Sequence, residues 1–182
     1  MRRFILYSRT GETAPFIGTL RNAGRLDIVY QCILMSMFAS HAIRRDVEFH
    51  AFLYGRPNPP IHLTIDGGRL YDVRVDEETW RKILNETLSG APHEGVGVKK
   101  EGIEPYAKSL DEVYVLNENG EDIERLNFKS PSFFLGDHVG LPNKFEKSLI
   151  AKGAKSVSLG KNKYLASSTI DIVNYLLDRK GV

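Results

Sequence analysis

The stretch that decides the fold is Pro131–Leu141, with the sequence PSFFLGDHVGL. A second short apolar segment, KSVSLG, follows at Lys155–Gly160, and LASSTIDIVNYLLD follows at Leu165–Asp178. In the first two segments a glycine ends a β-prone run, and glycine lets the backbone approach a ligand closely. The third segment has helical spacing, and Ser167 or Ser168 is its expected cap. Because ligands bind beyond the carboxyl ends of strands in α/β proteins, the sequence predicts two ligand-facing loops in one C-terminal unit.

Strand and helix patterns also alternate in the rest of the chain. Phe4–Tyr7 and Val47–Tyr54 are predicted to be buried strands, and Leu26–Ser40 between them is predicted to be a helix. Gly90–Gly102 is rich in glycine and polar residues, and we expect a mobile loop there. The alternation predicts an α/β fold with a mostly parallel sheet flanked by helices. The length suits a single domain over residues 1–182.

Composition narrows the class of protein only partly. The apolar content of 42% and the charged content of 26% are ordinary for a folded domain, and a net charge of +2 neither requires nor excludes nucleic acid. The only cysteine, Cys32, cannot form an intrachain disulfide, which fits a reducing compartment. No apolar run reaches the ~18 residues of a membrane span, and the N-terminus lacks a signal-peptide pattern. We therefore expect a cytoplasmic protein. The five histidines lack metal-ligand spacing, so no metal is expected.

The ordered motifs of this chain resemble those of SPOUT-superfamily RNA methyltransferases, and most closely the archaeal tRNA pseudouridine-54 N1-methyltransferase family. The motifs are GRLDIV at 24–29, SHAIRRD at 40–46, GRPNPP at 55–60, FFLGDHVG at 133–140, SLG at 158–160 and LASS at 165–168. The resemblance covers essentially all 182 residues. It implies a deep C-terminal trefoil knot, S-adenosylmethionine as cofactor, tRNA as substrate, and a homodimer with its site at the subunit boundary.

The resemblance also implies which residues form the cofactor pocket. Backbone groups and apolar side chains can make an adenine pocket that contains few charges. The implied cofactor-binding residues are Leu135, Gly136, Leu159, Gly160, Leu165, Ala166 and Thr169. One departure concerns Ser168 and Thr169, which stand where many relatives have His-Cys. This difference puts a side-chain role at that position in doubt, but not the pocket itself.

Asp27 and Arg25 are the candidates for catalysis. Methylation of pseudouridine at N1 must remove an imide-type proton, for which a carboxylate is a suitable base and an arginine a suitable stabiliser of the anion. The alternative is that Asp27 is a first-turn helix residue favoured by the helix dipole. Two roles are likewise open for Asp137 and His138: they could contact a ligand, or they could stabilise their loop.

Several arginines are candidates for contacts with RNA phosphates. Arg21 precedes the first helix, Arg44 and Arg45 are predicted at its C-terminal end, and Arg69 follows a strand pattern. Arginines at a helix C-terminus are also favoured by the dipole alone. Further arginines that could join them are Arg2, Arg3, Arg56 and Arg74.

Three other functions stay open at this point. A related SPOUT enzyme could act on ribosomal RNA or on another tRNA nucleotide. A non-catalytic RNA-binding relative would keep the same arginines, but it would not need S-adenosylmethionine. A small-molecule α/β enzyme is disfavoured because the chain lacks a recognisable base–nucleophile pair.

Overall fold

A seven-stranded sheet runs through the computed structural model, which describes residues 1–182. The chain forms nine strands: β1 (Arg2–Ser8), β2 (Phe38–Ala39), β3 (Ala42–Ile43), β4 (Val47–Leu53), β5 (Ile61–Asp66), β6 (Val96–Lys99), β7 (Val113–Asp122), β8 (Ser132–Gly136) and β9 (Lys155–Ser158). Seven of them form this sheet, in the order β6-β5-β4-β1-β8-β7-β9. Strands β4, β1, β8, β7 and β9 are parallel to their neighbours in this set, and β5 runs antiparallel to both β4 and β6. Strands β2 and β3 form a separate hairpin.

Helices cover both faces of the sheet. They are α1 (Leu26–Met37), α2 (Glu77–Leu88), α3 (Ile103–Ala107), α4 (Asn143–Ala151) and α5 (Ala166–Lys180). Helices α1, α2 and α5 bury their apolar stripes in the larger core, whereas α3 and α4 pack on the opposite face in a smaller core. The predicted α/β fold with a mostly parallel sheet flanked by helices is confirmed. No helix has the length and apolar character needed to cross a membrane.

The alternation of side chains along β1 explains how the two cores form. Phe4 and Leu6 face the larger core, and Ile5 between them faces the smaller one. Successive side chains of a strand point to opposite faces, so a strand covered on both faces is apolar throughout. The central position of β1, between β4 and β8, follows from this two-sided burial.

Three details of the elements differ from the sequence-based predictions. Helix α1 ends at Met37 instead of Ser40, because Phe38 is extended and begins the β2–β3 hairpin. The segment Gly90–Gly102 contains strand β6, which pairs with β5 and extends the sheet. Helix α5 starts after Leu165, whose side chain makes no capping hydrogen bond, so the two serines predicted as caps lie in its first turn.

Candidate functional site

The carboxyl ends of the central parallel strands are joined by backbone hydrogen bonds. The N–H of Asp137, after β8, donates to the carbonyl of Tyr7 in β1 at 3.0 Å. The N–H of Tyr54, after β4, donates to the carbonyl of Ser8 at 2.9 Å. The loops that follow β1, β4 and β8 therefore meet at one edge of the sheet, which we call the carboxyl edge.

Asp137 holds two of these loops together. One of its carboxylate oxygens accepts the backbone N–H of Arg9 at 2.8 Å, and the other accepts the N–H of Val139 at 2.9 Å. The residue is only 8% exposed, and the backbone donors compensate its buried charge. His138 beside it is exposed. The structure thus gives Asp137 the loop-stabilising position that the sequence left as one of two alternatives.

Arg25 and Asp27 form a bidentate ion pair at the start of α1. The Nε and Nη2 groups of Arg25 donate to the two carboxylate oxygens of Asp27 at 2.9 and 3.0 Å. These hydrogen bonds raise the pKa of the Arg25 guanidinium, and the negative charge of Asp137 raises it further. Arg25 therefore lies within electrostatic reach of both carboxylates. A potential base and a potential anion stabiliser stand together at the carboxyl edge.

The loop after β9 is hydrogen-bonded to β7, but its glycine faces open space. The Ser158 hydroxyl accepts the N–H of Gly160 at 3.0 Å and donates to the Glu118 carbonyl at 3.1 Å. Gly160 has a φ of 108°, and a Cβ built there would meet no atom within 4 Å. The backbone of Gly160 is thus open to space that a ligand could occupy.

Gly136 has a different structural reason for being glycine. A Cβ there would collide with the backbone of Gly140 and Leu141, because the turn after β8 folds back over it. The fold of the turn itself therefore requires glycine at 136, whereas the fold leaves open space at 160. The sequence pattern had treated the two glycines alike.

The remaining residues of the predicted cofactor pocket lie along the same edge, at the ends of β8 and β9 and the start of α5. Leu135 is buried in the larger core, and Leu159 and Ala166 pack against that core while partly exposed. Leu165 is 73% exposed. Thr169, in the first turn of α5, donates its N–H to the Leu165 carbonyl at 2.8 Å. Apart from Thr169, these residues are leucine, alanine or glycine, which fits the adenosyl part of S-adenosylmethionine.

Only one of the four predicted RNA-contacting arginines lies near this edge. Arg21 is exposed, and its carbonyl accepts the N–H of Arg25. Arg44 and Arg45 come just before β4, and Arg69 comes just after the antiparallel strand β5. These three therefore lie at the opposite, amino edge of the parallel strands.

Two of the amino-edge arginines form hydrogen bonds with other residues of the protein. The guanidinium of Arg44 donates to both carboxylate oxygens of Asp178 at 2.8 Å. Arg45 donates to the carbonyls of Gly67 at 2.9 Å and Leu70 at 2.8 Å. Contact of these two arginines with RNA stays a prediction that the isolated chain does not test.

Sequence reasoning missed Arg9, an exposed residue that follows β1 directly. The signal was available, because a residue just beyond the first parallel strand must lie at the carboxyl edge. It also missed that Tyr7 and Tyr54 stack at this edge, with ring centroids 4.7 Å apart. That contact depends on the pairing of β1 with β4, which a strand pattern alone does not reveal.

The sequence of the chain matches a known protein family along its whole length. The family model described as “Putative SAM-dependent RNA methyltransferase” covers residues 1–182. The chain belongs to this family of S-adenosylmethionine-dependent RNA methyltransferases. The resemblance drawn from the motifs is thereby confirmed.

Similar proteins from archaea carry one common name. A protein of Methanocella arvoryzae is 36% identical over 99% of this chain and 100% of its own length, and it is named tRNA (pseudouridine(54)-N(1))-methyltransferase. Proteins of the same name from Methanocaldococcus jannaschii and Thermococcus kodakarensis are 33% and 34% identical, over 100% and 98% of this chain and 98% and 99% of their own lengths.

A solved structure shares the fold. Archaeoglobus fulgidus Nep1 bound to S-adenosylhomocysteine matches with a TM-score of 0.73 over 97% of this chain and 96% of that chain. The sequence identity between the two proteins is 15%, so the likeness describes the fold alone.

Proposed function

We propose that this protein transfers a methyl group from S-adenosylmethionine to N1 of pseudouridine 54 in the T loop of tRNA. Its family and its similarly named full-length relatives support the activity. The observation that carries the proposal in the structure is the bidentate Arg25–Asp27 pair, which lies at the same sheet edge as the glycine-containing loops after β8 and β9.

Arg25 and Asp27 have complementary roles in this proposal. Asp27 takes the N1 proton of the pseudouridine base, and Arg25 stabilises the anion that forms. When bound, S-adenosylmethionine supplies a methyl group activated by a positively charged sulfur. The loops that carry Gly136 and Gly160 orient this group, so that much of the rate comes from aligned proximity. The pair is preorganised, because each of its two hydrogen bonds is already formed.

The proposed cofactor-binding residues are those at the ends of β8 and β9 and the start of α5. Their mostly apolar side chains suit an adenosyl group, and the open space at Gly160 leaves room for it. They are Leu135, Gly136, Leu159, Gly160, Leu165, Ala166 and Thr169. Arg21 is the proposed RNA contact nearest to this pocket, while Arg44, Arg45 and Arg69 remain candidates on the other edge.

We also propose that residues 1–182 form a single domain with a C-terminal trefoil knot. Strands from both ends of the chain share one sheet, which supports a single domain. Val157 of β9 pairs in register with both Leu116 and Glu121, so residues 117–120 form an arch beside β9. Gly120 in this arch packs so closely on the backbone of Ser156 and Val157 that a Cβ would not fit. The knot itself is proposed from the resemblance, and the close packing of this arch beside β9 is compatible with it.

A homodimer completes the proposal. Apolar side chains around the start and outer face of α5 are exposed, among them Leu165 at 73%, Tyr175 at 59% and Tyr164 at 45%. A partner subunit would cover them and bring its own residues to the boundary of the site. Light scattering is expected to give about twice the 20.5 kDa mass of the chain. Monomeric protein that is fully active would contradict the dimer.

The decisive experiment is mass spectrometry of tRNA nucleosides after incubation with the protein and S-adenosylmethionine. Two substrates should be compared, one with pseudouridine at position 54 and one with uridine there. We expect N1-methylpseudouridine only from the first. A methyl group on another nucleotide would point to a related SPOUT activity. Binding of tRNA without methyl transfer, together with no binding of S-adenosylmethionine in calorimetry, would indicate a non-catalytic RNA-binding protein.

A further inference from the structure

Three exposed arginines at the carboxyl edge differ from the ion-paired arginines at the amino edge. At the amino edge, Arg2 pairs with Asp178 at 2.8 Å, Arg3 with Glu48 at 2.8 Å, and Arg44 also pairs with Asp178. At the carboxyl edge, the side chains of Arg9, Arg21 and Arg56 are exposed and make no hydrogen bond or ion pair within the chain. A paired arginine must give up its carboxylate to bind a phosphate, whereas a free one need not.

The three free arginines are brought together by close backbone packing around Thr10 and Gly11. Gly55, just before Arg56, donates its N–H to the Gly11 carbonyl at 2.9 Å. The Gly24 carbonyl accepts the Thr10 hydroxyl at 2.8 Å, which fixes the segment that contains Arg21. A Cβ on Gly24 or Gly55 would collide with the Thr10 carbonyl, so both segments touch the loop after β1 directly.

The acidic residues of this edge do not cancel these charges. Asp27 is neutralised by Arg25, and the buried Asp137 carboxylate is compensated by two backbone N–H groups. Glu12 is the one carboxylate within the loop after β1; it is partly exposed and forms no ion pair with these arginines. The loops that carry these three unpaired arginines therefore lie at the same edge as the Arg25–Asp27 pair, where the target base is proposed to meet Asp27.

We propose that Arg9, Arg21 and Arg56 form the surface that binds the tRNA backbone on either side of the target nucleotide. This inference rests on the proposed function and adds the location of the RNA on the protein. Phosphate contacts fix the position of an RNA without reading its sequence. Guanidinium groups suit this task because they can donate two hydrogen bonds to one phosphate. The RNA lies across the loops after β1 and β4, and the base enters beside the Arg25–Asp27 pair.

The test replaces all three arginines by alanine and measures tRNA affinity as a function of salt concentration. Each lost phosphate contact should remove roughly 0.7–0.9 units from the log–log salt slope, so the slope should fall by about 2 units or more. The Kd for tRNA at low salt should rise at least tenfold, while calorimetry finds the Kd for S-adenosylmethionine unchanged. The corresponding triple lysine variant keeps the charges and should recover most of the slope.

A matched control removes the same charge elsewhere. The control replaces Arg81 and Lys82 of α2, and Lys129 just before β8, by alanine. The salt slope and the methylation rate should then be as in the wild type. A wild-type slope in the Arg9, Arg21 and Arg56 variant would overturn the inference. So would an equal loss of slope in the control variant, because the effect would then come from net charge alone.

The same preparations separate this inference from the proposed function. If the wild type methylates pseudouridine 54 but the edge variant keeps its tRNA slope, only the inference is overturned. If the wild type binds tRNA through these arginines but transfers no methyl group, the inference stands and the proposed activity fails. Wild-type protein that binds no tRNA would overturn both.

Discussion

Among the single residues, Arg25 and Asp27 are the ones proposed to act directly in the chemical step. A base and a guanidinium that act on the transition state should affect the rate more than binding. We expect Asp27→Asn to lower the single-turnover methylation rate by ~10²-fold or more, which is the lower end for general base catalysis. The affinity for S-adenosylmethionine should barely change. The defect should shrink as pH rises, because hydroxide can then take the N1 proton.

The exposed Asp111, which lies outside the site, provides a control for this substitution. Asp111→Asn should have the wild-type rate at every pH. The catalytic role of Asp27 would be ruled out by a normal rate in Asp27→Asn. It would also be ruled out by a defect that vanishes at saturating tRNA, since Asp27 would then serve binding alone.

Asp137 acts on the site by holding two loops. An asparagine there keeps one acceptor oxygen, but it presents an NH₂ group to a backbone N–H, so one buried donor loses its partner. This loss should cost about 1–3 kcal/mol in the free energy of unfolding. The loosened loops should also weaken S-adenosylmethionine binding, measured by calorimetry. Asp66→Asn is a useful comparison, because Asp66 accepts the Gly68 N–H in a turn at the amino edge. An asparagine at 66 keeps the oxygen that accepts this single N–H, so Asp66→Asn should leave both unfolding and cofactor affinity nearly unchanged. Equal cofactor affinities in the two variants would refute the loop-holding role.

At the level of elements, the loop after β9 offers a sharp test of the pocket. Gly160→Val places a side chain in the open space beside the backbone and should weaken S-adenosylmethionine binding at least tenfold, or about 1.4 kcal/mol. Gly153 supplies the matched control: its φ of 98° is similar, and a Cβ there also meets no atom within 4 Å. Both valine variants should therefore carry similar backbone strain. If Gly153→Val weakens binding as much as Gly160→Val, the pocket does not lie at Gly160.

Elements with a strong repeating pattern could be predicted from the sequence. The stripe Leu26, Val29 and Ile33 is buried in α1 as its spacing indicates, and the strand Val47–Leu53 is found nearly as expected. The end of α1 was not predictable, because the β2–β3 hairpin overrides the helical spacing at Phe38. Strand β6 was missed because its short segment, VGVK, gains its structure from pairing with β5 and not from its own pattern.

At the scale of the whole molecule, the order of the strands decides which residues can act together. Gly136 and Asp27 were found from motifs and do lie at one edge, because β1 sits between β4 and β8. The edge on which Arg44 and Arg69 lie could not be read from the sequence. Arg44 and Arg69 follow apolar runs just as Arg9 does, yet the hairpin and the antiparallel strand β5 carry them to the amino edge.

A network of hydrogen-bonded side chains that includes the buried His50 and His62 also joins several elements on one face of the sheet. The His62 Nδ1 lies 2.7 Å from a Glu101 carboxylate oxygen, the His62 Nε2 lies 2.9 Å from the His50 Nδ1, and the His50 Nε2 lies 2.9 Å from the Tyr106 hydroxyl. Every group has a partner if Tyr106 donates to a neutral His50, His50 to a neutral His62, and His62 to an ionised Glu101. Other charged groups around this network are Glu48, Arg3 and Lys99.

From these hydrogen-bonded side chains we expect the protein to lose stability in mild acid. Burial lowers the pKa of His62 to about 4 and also lowers the pKa of His50. Unfolded histidines bind protons near pH 6.5, so between about pH 6.5 and 4 the unfolded state holds more protons and unfolding becomes easier as pH falls. Urea unfolding should show a loss on the order of 3 kcal/mol across this window from His62 alone. His62→Gln should be less stable at pH 7 but should lose less stability in acid, whereas the exposed His93→Gln should behave like the wild type. An unchanged acid dependence in His62→Gln would show that the buried pair does not control it.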